Sequence, residues 1–165
     1  MLPIKTILHP TDFSERSDFA FRLACSLARD YGARLIVLHV AEPPMAIAGE
    51  GMLIPPPAID LESLRQRLGQ FRPRDSKVFV EHRLVQGAAV PEILQAAGET
   101  KCDVIVLGTH GRTGLGRFLI GSVAEQIVRR APCPVVAVKT PLPETGSSGE
   151  SSPESAGSIA GPTKG

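Results

Sequence analysis

The residues best placed to do chemistry lie between 107 and 130. Gly108-Thr109-His110-Gly111 leaves a short apolar run, and Gly121-Ser122 opens a segment with helical spacing, which gives the order Gly-x2-Gly-x9-Gly-Ser. Glycine lets backbone amides approach an anion closely, and the free N–H groups at the start of the following helix favour negative charge. The run is therefore a candidate phosphate cradle. Singly, Gly108 and Gly111 also read as a turn after a buried strand, and Gly121 as a close packing point. Ser122-Val123-Ala124-Glu125 matches a capping box, in which Ser122 would satisfy a helix amide. Residues 109–122 nevertheless carry Arg112, Gly114, Gly116 and Arg117, more polar apparatus than a cap needs.

One helix terminus contributes about 0.3 to 1 kcal/mol to an exposed charge, so a polyphosphate needs several converging amides or cations. The chain has no G-x-x-x-x-G-K-[ST] loop, hence no lysine of that type to grip the outer phosphates. Holding a nucleotide is expected ahead of turning it over. Asp12, after Pro10 and Thr11, would repel a triphosphate and is placed at the base or ribose end, where it can accept hydrogen bonds; capping the first helix is its other reading. Val40 would flank a base with its backbone, although its residue type suits the core.

These residues require a scaffold. Ile4 to Leu8, Leu35 to Val40, Val78 to Val85, Val104 to Leu107 and Val135 to Val138 are short runs rich in Val, Ile and Leu, as expected of strands buried on both faces. Between them, Ala20, Leu23, Ala24, Leu27 and Ala28 have helical spacing, as do Leu61, Leu64, Leu68 and Phe71. So do Ile93, Leu94 and Ala97 behind Pro91, and Ala124, Ile127, Val128 and Ala131. Ser14 is the expected N-cap of the first helix, and Gly32 its stop. The alternation predicts an α/β doubly wound three-layer sandwich with a five-stranded parallel sheet. If the two halves wind in opposite directions, the strand order is 3-2-1-4-5, and ligand binds at the carboxyl ends of strands one and four. Asp12 and the glycine loop then face one crevice.

With 165 residues, one domain can bury roughly 70% of its unfolded surface. A net charge of +1 supplies no global field for nucleic acid or an anionic membrane. Cys25, Cys102 and Cys133 show no metal-ligand spacing and read as buried hydrophobes in a reducing compartment. With no signal-like or membrane-spanning apolar stretch, a cytoplasmic location is expected. Residues 41–57 contain five prolines and cannot form a regular strand or long helix. Residues 141–165 form a Ser/Gly/Pro-rich tail expected to be disordered, leaving residues 1–140 as the nucleotide-binding domain.

Three separated motifs, ILHPTDFSERSDFAFRLA, LIVLHVAEPP and GTHGRTGLGRFLIGSVAEQIVRRAPCPVVAVK, resemble the universal stress protein family along most of residues 1–140. The resemblance implies the ATP-binding branch, with ATP bridged through a divalent cation, Mg2+ or Mn2+, carried on the phosphates. It implicates Asp12, Val40, Gly108, Gly111, Gly121 and Ser122, with Pro10, Thr11, Thr109, His110, Arg112 and Val123 as neighbours. It also implies a homodimer paired through the last strand, Pro134 to Lys139. The preferred reading is that nucleotide occupancy changes the 109–120 loop and thereby a surface for an unidentified protein partner in the stress response. The competing readings are a nucleotide-independent dimeric interaction module and a slow Mg-dependent ATPase. A metal site built from His9, His39, His110 and Asp12 lacks zinc-ligand spacing.

Overall fold

The computed structural model describes residues 3–43, 48–49, 52–53, 58–109 and 121–139. The expected tail, 141–165, and His110, Gly111 and Arg112 lie outside the described residues. The elements run β1 (Thr6–Pro10), α1 (Glu15–Tyr31), β2 (Arg34–Ala41), β3 (Ala48–Gly49), β4 (Met52–Leu53), α2 (Leu61–Leu68), β5 (Val80–Gln86), α3 (Ala89–Thr100), β6 (Val104–Gly108), α4 (Ser122–Arg130) and β7 (Val135–Val138). The main sheet is wholly parallel, in the order β5-β2-β1-β6-β7. Counted by its own strands alone, that order is 3-2-1-4-5, as the sequence predicts. The Pro-rich stretch also holds a two-residue antiparallel pair, β3 with β4.

Each central strand feeds two cores because successive side chains point to opposite faces. Ile7, Leu35, Val37, Val104 and Val106 pack with α1 and Leu68 of α2, while Leu8, Ile36, Leu38, Ile105 and Leu107 pack with α3 and α4. Helices therefore cover both faces, and the strands lose the polar alternation of a sheet with one face in water.

The start of α1 is set by Ser14, whose hydroxyl accepts the Ser17 amide at 3.2 Å. Its end is set by Gly32 at φ 64°, where a side chain would be strained, with the Gly32 amide bonded to the Ala28 and Arg29 carbonyls. Ala20, Ala24 and Ala28 form the buried stripe, so α1 lies close to the sheet. Leu23, which the periodicity places on that face, is 37% exposed, and Val128 of α4 is 47% exposed. The contact stripe of each helix is narrower than its run of apolar residues. Of the cysteines expected to be buried, Cys102 is buried, but Cys25 and Cys133 are only half-buried.

Close packing along the alanine stripe makes a direct prediction. Ala24→Leu adds three carbons where none fits and should lower stability by about 1–3 kcal/mol in urea unfolding. An unchanged midpoint would show that α1 can lift off the sheet without loss.

Candidate functional site

The two halves of the sheet part at β1 and β6. These strands are paired only at Ile7–Val104 and Leu8–Ile105, whereas β1 stays paired with β2 as far as Pro10–Leu38. Pro10 supplies the reason. The Ile105 amide points to β7, bonding to Pro134 O at 3.0 Å, so the neighbouring Val106 carbonyl faces β1. A ladder continued in this register would fill it from the amide of residue 10, and proline has none. The His9 side chain takes over, with Nδ1–H donating to Val106 O at 2.8 Å.

His9 is completely buried, its imidazole 5.7 Å from the Phe21 ring and 6.3 Å from that of Phe71. Burial pushes its pKa down to about 4, outweighing the carbonyl bond and the charge of Asp12, both of which raise it. The neutral ring therefore carries its proton on Nδ1. Its Nε2 stands 3.4 Å from Ser17 Oγ, which donates to Thr11 Oγ1 at 2.8 Å.

Thr11 ties three elements together. Its amide donates to Leu38 O at 2.8 Å, its carbonyl accepts His39 Nδ1–H at 2.8 Å, and its hydroxyl accepts the Phe13 amide at 3.1 Å. The side chain is buried, which makes Thr11 a positioning residue for the turn that follows. In that turn Asp12 Oδ1 accepts from both the amide and the hydroxyl of Ser14, at 3.1 and 2.6 Å. Asp12 thus braces the helix cap, while Ser14 is the cap itself. Burial raises the Asp18 carboxyl above its ordinary value; Arg22 opposes this, and the charges of Glu15 and Asp12 add to it. Asp12, Glu15 and Asp18 thus gather negative charge about the start of α1. Val40 lies in β2, half-buried and packed on the α3/α4 core.

Phe13, which the sequence reading passed over, sits between these parts. It holds φ 61°, costly for a bulky residue. Its ring lies 4.1 Å from the His39 imidazole and 5.9 Å from the Phe71 ring, and the Arg67 guanidinium covers it at 4.3 Å. The sequence signal was an aromatic residue lodged between the turn formers Asp12 and Ser14.

The opposite wall comes from β6 and α4. A Cβ on Gly108 would lie 3.1 Å from the Arg16 carbonyl oxygen, so a side chain there would press the α1 backbone back by a few tenths of an ångström. Gly108 thus eases the close approach of α1 to β6, and it has no positive φ. The Thr109 amide donates to Val138 O at 3.0 Å, and the Thr109 carbonyl accepts the Gly121 amide at 2.6 Å. Gly121 is the N-cap of α4 and Ser122 its first helical residue, so the expected Ser122 capping box does not form. Gly121 brings no side-chain acceptor. The first-turn amides of Ser122, Val123 and Ala124 have no acceptor within the helix. Ser122 is exposed and Val123 is 38% exposed.

The neighbouring strands thus carry Pro10, Thr11 and Asp12 at the end of β1, Val40 near the end of β2, and Gly108 and Thr109 at the end of β6, where the Thr109 carbonyl holds Gly121 at the start of α4. Among the described residues, no three His, Cys, Asp or Glu side chains form a metal-binding group, and no helix is long and apolar enough to cross a membrane. A cavity of about 550 Å³ lies elsewhere, beside α1, under Phe21, Phe71 and Val78 and rimmed by Arg22, Arg72 and Arg74.

The depressed His9 pKa fixes a pH dependence. Between about 4 and 6.5 the unfolded chain takes up a proton that the folded chain refuses, so this contribution is complete above 6.5 and shrinks as pH falls towards 4. Going from pH 7 to 5 should remove about 2 kcal/mol of stability in urea unfolding. His9→Asn keeps a donor but does not titrate, and should lose less over that range; an equal loss in both proteins would place the effect elsewhere.

The universal stress protein family model matches residues 3–139. A universal stress protein of Methanocaldococcus jannaschii is 33% identical over 144 residues, covering 85% of this chain and 85% of that protein. The structure of UspA from Lactobacillus plantarum shares the fold with a TM-score of 0.67 at 24% identity, over 84% of this chain and 99% of that one. A universal stress protein solved in complex with cAMP gives a TM-score of 0.65 at 25% identity, over 84% of this chain and 98% of that one. With its fold order, its split sheet and its match over residues 3–139, the chain belongs to the universal stress protein family.

Proposed function

We propose that residues 1–140 form a nucleotide-binding domain that holds ATP, with Mg2+ or Mn2+ carried on its phosphates, and reports its occupancy to a protein partner during stress. The observation that carries this reading is the helix start without a side-chain cap at Gly121, held by Thr109 across the opened seam from Asp12. It offers the amides of Ser122, Val123 and Ala124 to an anion without competition from a capping side chain among the described residues. The cAMP complex of a relative supports an adenine nucleotide as the ligand class.

In this arrangement Asp12 and the edge of Val40 take the base or ribose end, and Gly121, Ser122 and Val123 take the phosphates. His110, Gly111 and Arg112 are assigned to the phosphate side by the motif they share with the family. The missing Walker-type lysine favours holding over hydrolysis. His9 is a poor general base, because it is buried and its Nδ1 proton is committed to Val106. A cytoplasmic location accompanies this reading.

Titration calorimetry with Mg-ATP should show saturable binding by the full chain. Gly121→Asp should weaken it at least tenfold, because the new carboxylate both caps the first-turn amides and repels phosphate. The same change should leave stability equal or raise it by a few tenths of a kcal/mol, since Asp is the better N-cap. Unaltered ATP affinity in a folded Gly121→Asp protein would move the phosphate site away from α4.

The homodimer is proposed through β7, an edge strand with β6 as its one sheet neighbour among the described residues. The Ile105 amide bonds to Pro134 O and the Thr109 amide to Val138 O, so the backbone groups of Ala137 alternate to the outer side. Ala137→Pro removes an outward amide while leaving the β6 ladder intact. Sedimentation velocity should show a folded monomer in place of a dimer. A dimer of undiminished affinity would place the interface on another surface.

A further inference from the structure

Cys102 and Cys133 are 31 residues apart in sequence, yet their sulfurs lie 3.5 Å apart. Both precede strands, Cys102 just before β6 and Cys133 just before β7, so they meet at the amino ends of these neighbours. The crevice is at the carboxyl ends. Among the described residues no third ligand completes a metal group there, and the pair has no part in the nucleotide reading.

We propose that Cys102 and Cys133 are a redox modification site, a thiol pair that closes to an intramolecular disulfide when a peroxide supplies the oxidising equivalents. Cys133 is half-buried and is the sulfur a peroxide reaches first; Cys102, 6% exposed, is the resolving partner. The Cys133 thiolate attacks one peroxide oxygen and the O–O bond breaks, leaving a sulfenic acid and releasing the other oxygen as water. The Cys102 sulfur then attacks the sulfenic sulfur. The S–S bond forms, the S–O bond breaks, and hydroxide leaves as water with the Cys102 proton. Two thiols and one hydrogen peroxide give one disulfide and two waters, with two electrons passing from sulfur to oxygen.

The surroundings set the rate. Burial pushes the Cys102 thiol up to about 12, helped by its contact with Cys133, and burial also raises Cys133. Little thiolate is present at neutral pH, so the bond forms slowly, under sustained oxidation. Cys25, which burial pushes up to about 11, has no sulfur partner among the described residues. The sulfurs need to move closer by about 1.5 Å to reach the bonded length, a shift open to the half-buried Cys133 side chain.

The bond would close a loop containing β6, the glycine run and α4. Tethering both ends of this segment restricts the unfolded chain and should raise Tm by roughly 5–15 °C. The inference stands whether or not the chain binds nucleotide.

The test treats the full native chain with hydrogen peroxide and follows free thiols and intact mass. The expected result is a fall from three free thiols to one, a loss of two hydrogens, and a crosslinked Cys102–Cys133 peptide that a reductant releases. Oxidation should speed up several-fold from pH 7 to 8. Cys25→Ser should still lose two thiols, whereas Cys102→Ser and Cys133→Ser should not form the intramolecular bond. Three thiols remaining, a bond through Cys25, an interchain bond on a non-reducing gel, or closure only in urea would each overturn the proposal.

Discussion

A parallel strand pair opens when one residue cannot donate to its neighbour, and at the β1–β6 seam that residue is Pro10. Its missing amide leaves the Val106 carbonyl facing a gap, and a buried carbonyl without a partner costs about 1–3 kcal/mol. The imidazole of His9 fills the gap with a single bond of 2.8 Å. This exchange of a backbone donor for a side-chain donor lets the sheet divide without an unsatisfied group inside it. Desolvation keeps the ring neutral, so the substitute donor carries no buried charge. Thr11 and Ser17 lie on its other side, and through them the seam is joined to the cap of α1.

The close seating of α1 belongs to the same construction. Alanines at 20, 24 and 28 let the helix descend onto the sheet, and Gly108 lets β6 pass beneath its first turn at Arg16. Asp12, Ser14 and Thr11 then bind one another within the turn, and Phe13 is driven into a strained backbone conformation held by Arg67 and His39. The turn after β1 is consequently held by several side chains at once. At the end of β6, α4 starts at Gly121 with no side-chain cap among the described residues. The proposed nucleotide would set its neutral donor edge at the first and its anionic oxygens at the second.

The fold was legible because unbroken Val, Ile and Leu runs can be buried on both faces only in a helix-covered parallel sheet. Its strand order followed once the two halves were taken to wind in opposite directions, which sets the ends of strands one and four side by side. Ser14 and Gly32 were legible because caps act over three or four residues. The detail that depends on contacts between distant segments was not. Gly108 reads as a turn or cradle residue until Arg16 is seen above it. Ser122 matches a capping box, but the Thr109–Gly121 bond starts the helix one residue earlier. Phe13 and Arg67 are 54 positions apart and carry no shared pattern, and the contact of Cys102 with Cys133 is equally invisible to spacing.

The bond from the Gly121 amide to the Thr109 carbonyl has a consequence for how such a chain can diversify. It pins the two ends of the segment 110–120 together, so α4 takes its position from the sheet and not from the chain that leads to it. Doubling that segment's length would cost only about 0.6 kcal/mol of closure entropy. Changes of length between Thr109 and Gly121 can therefore accumulate while the start of α4 stays anchored to the end of β6.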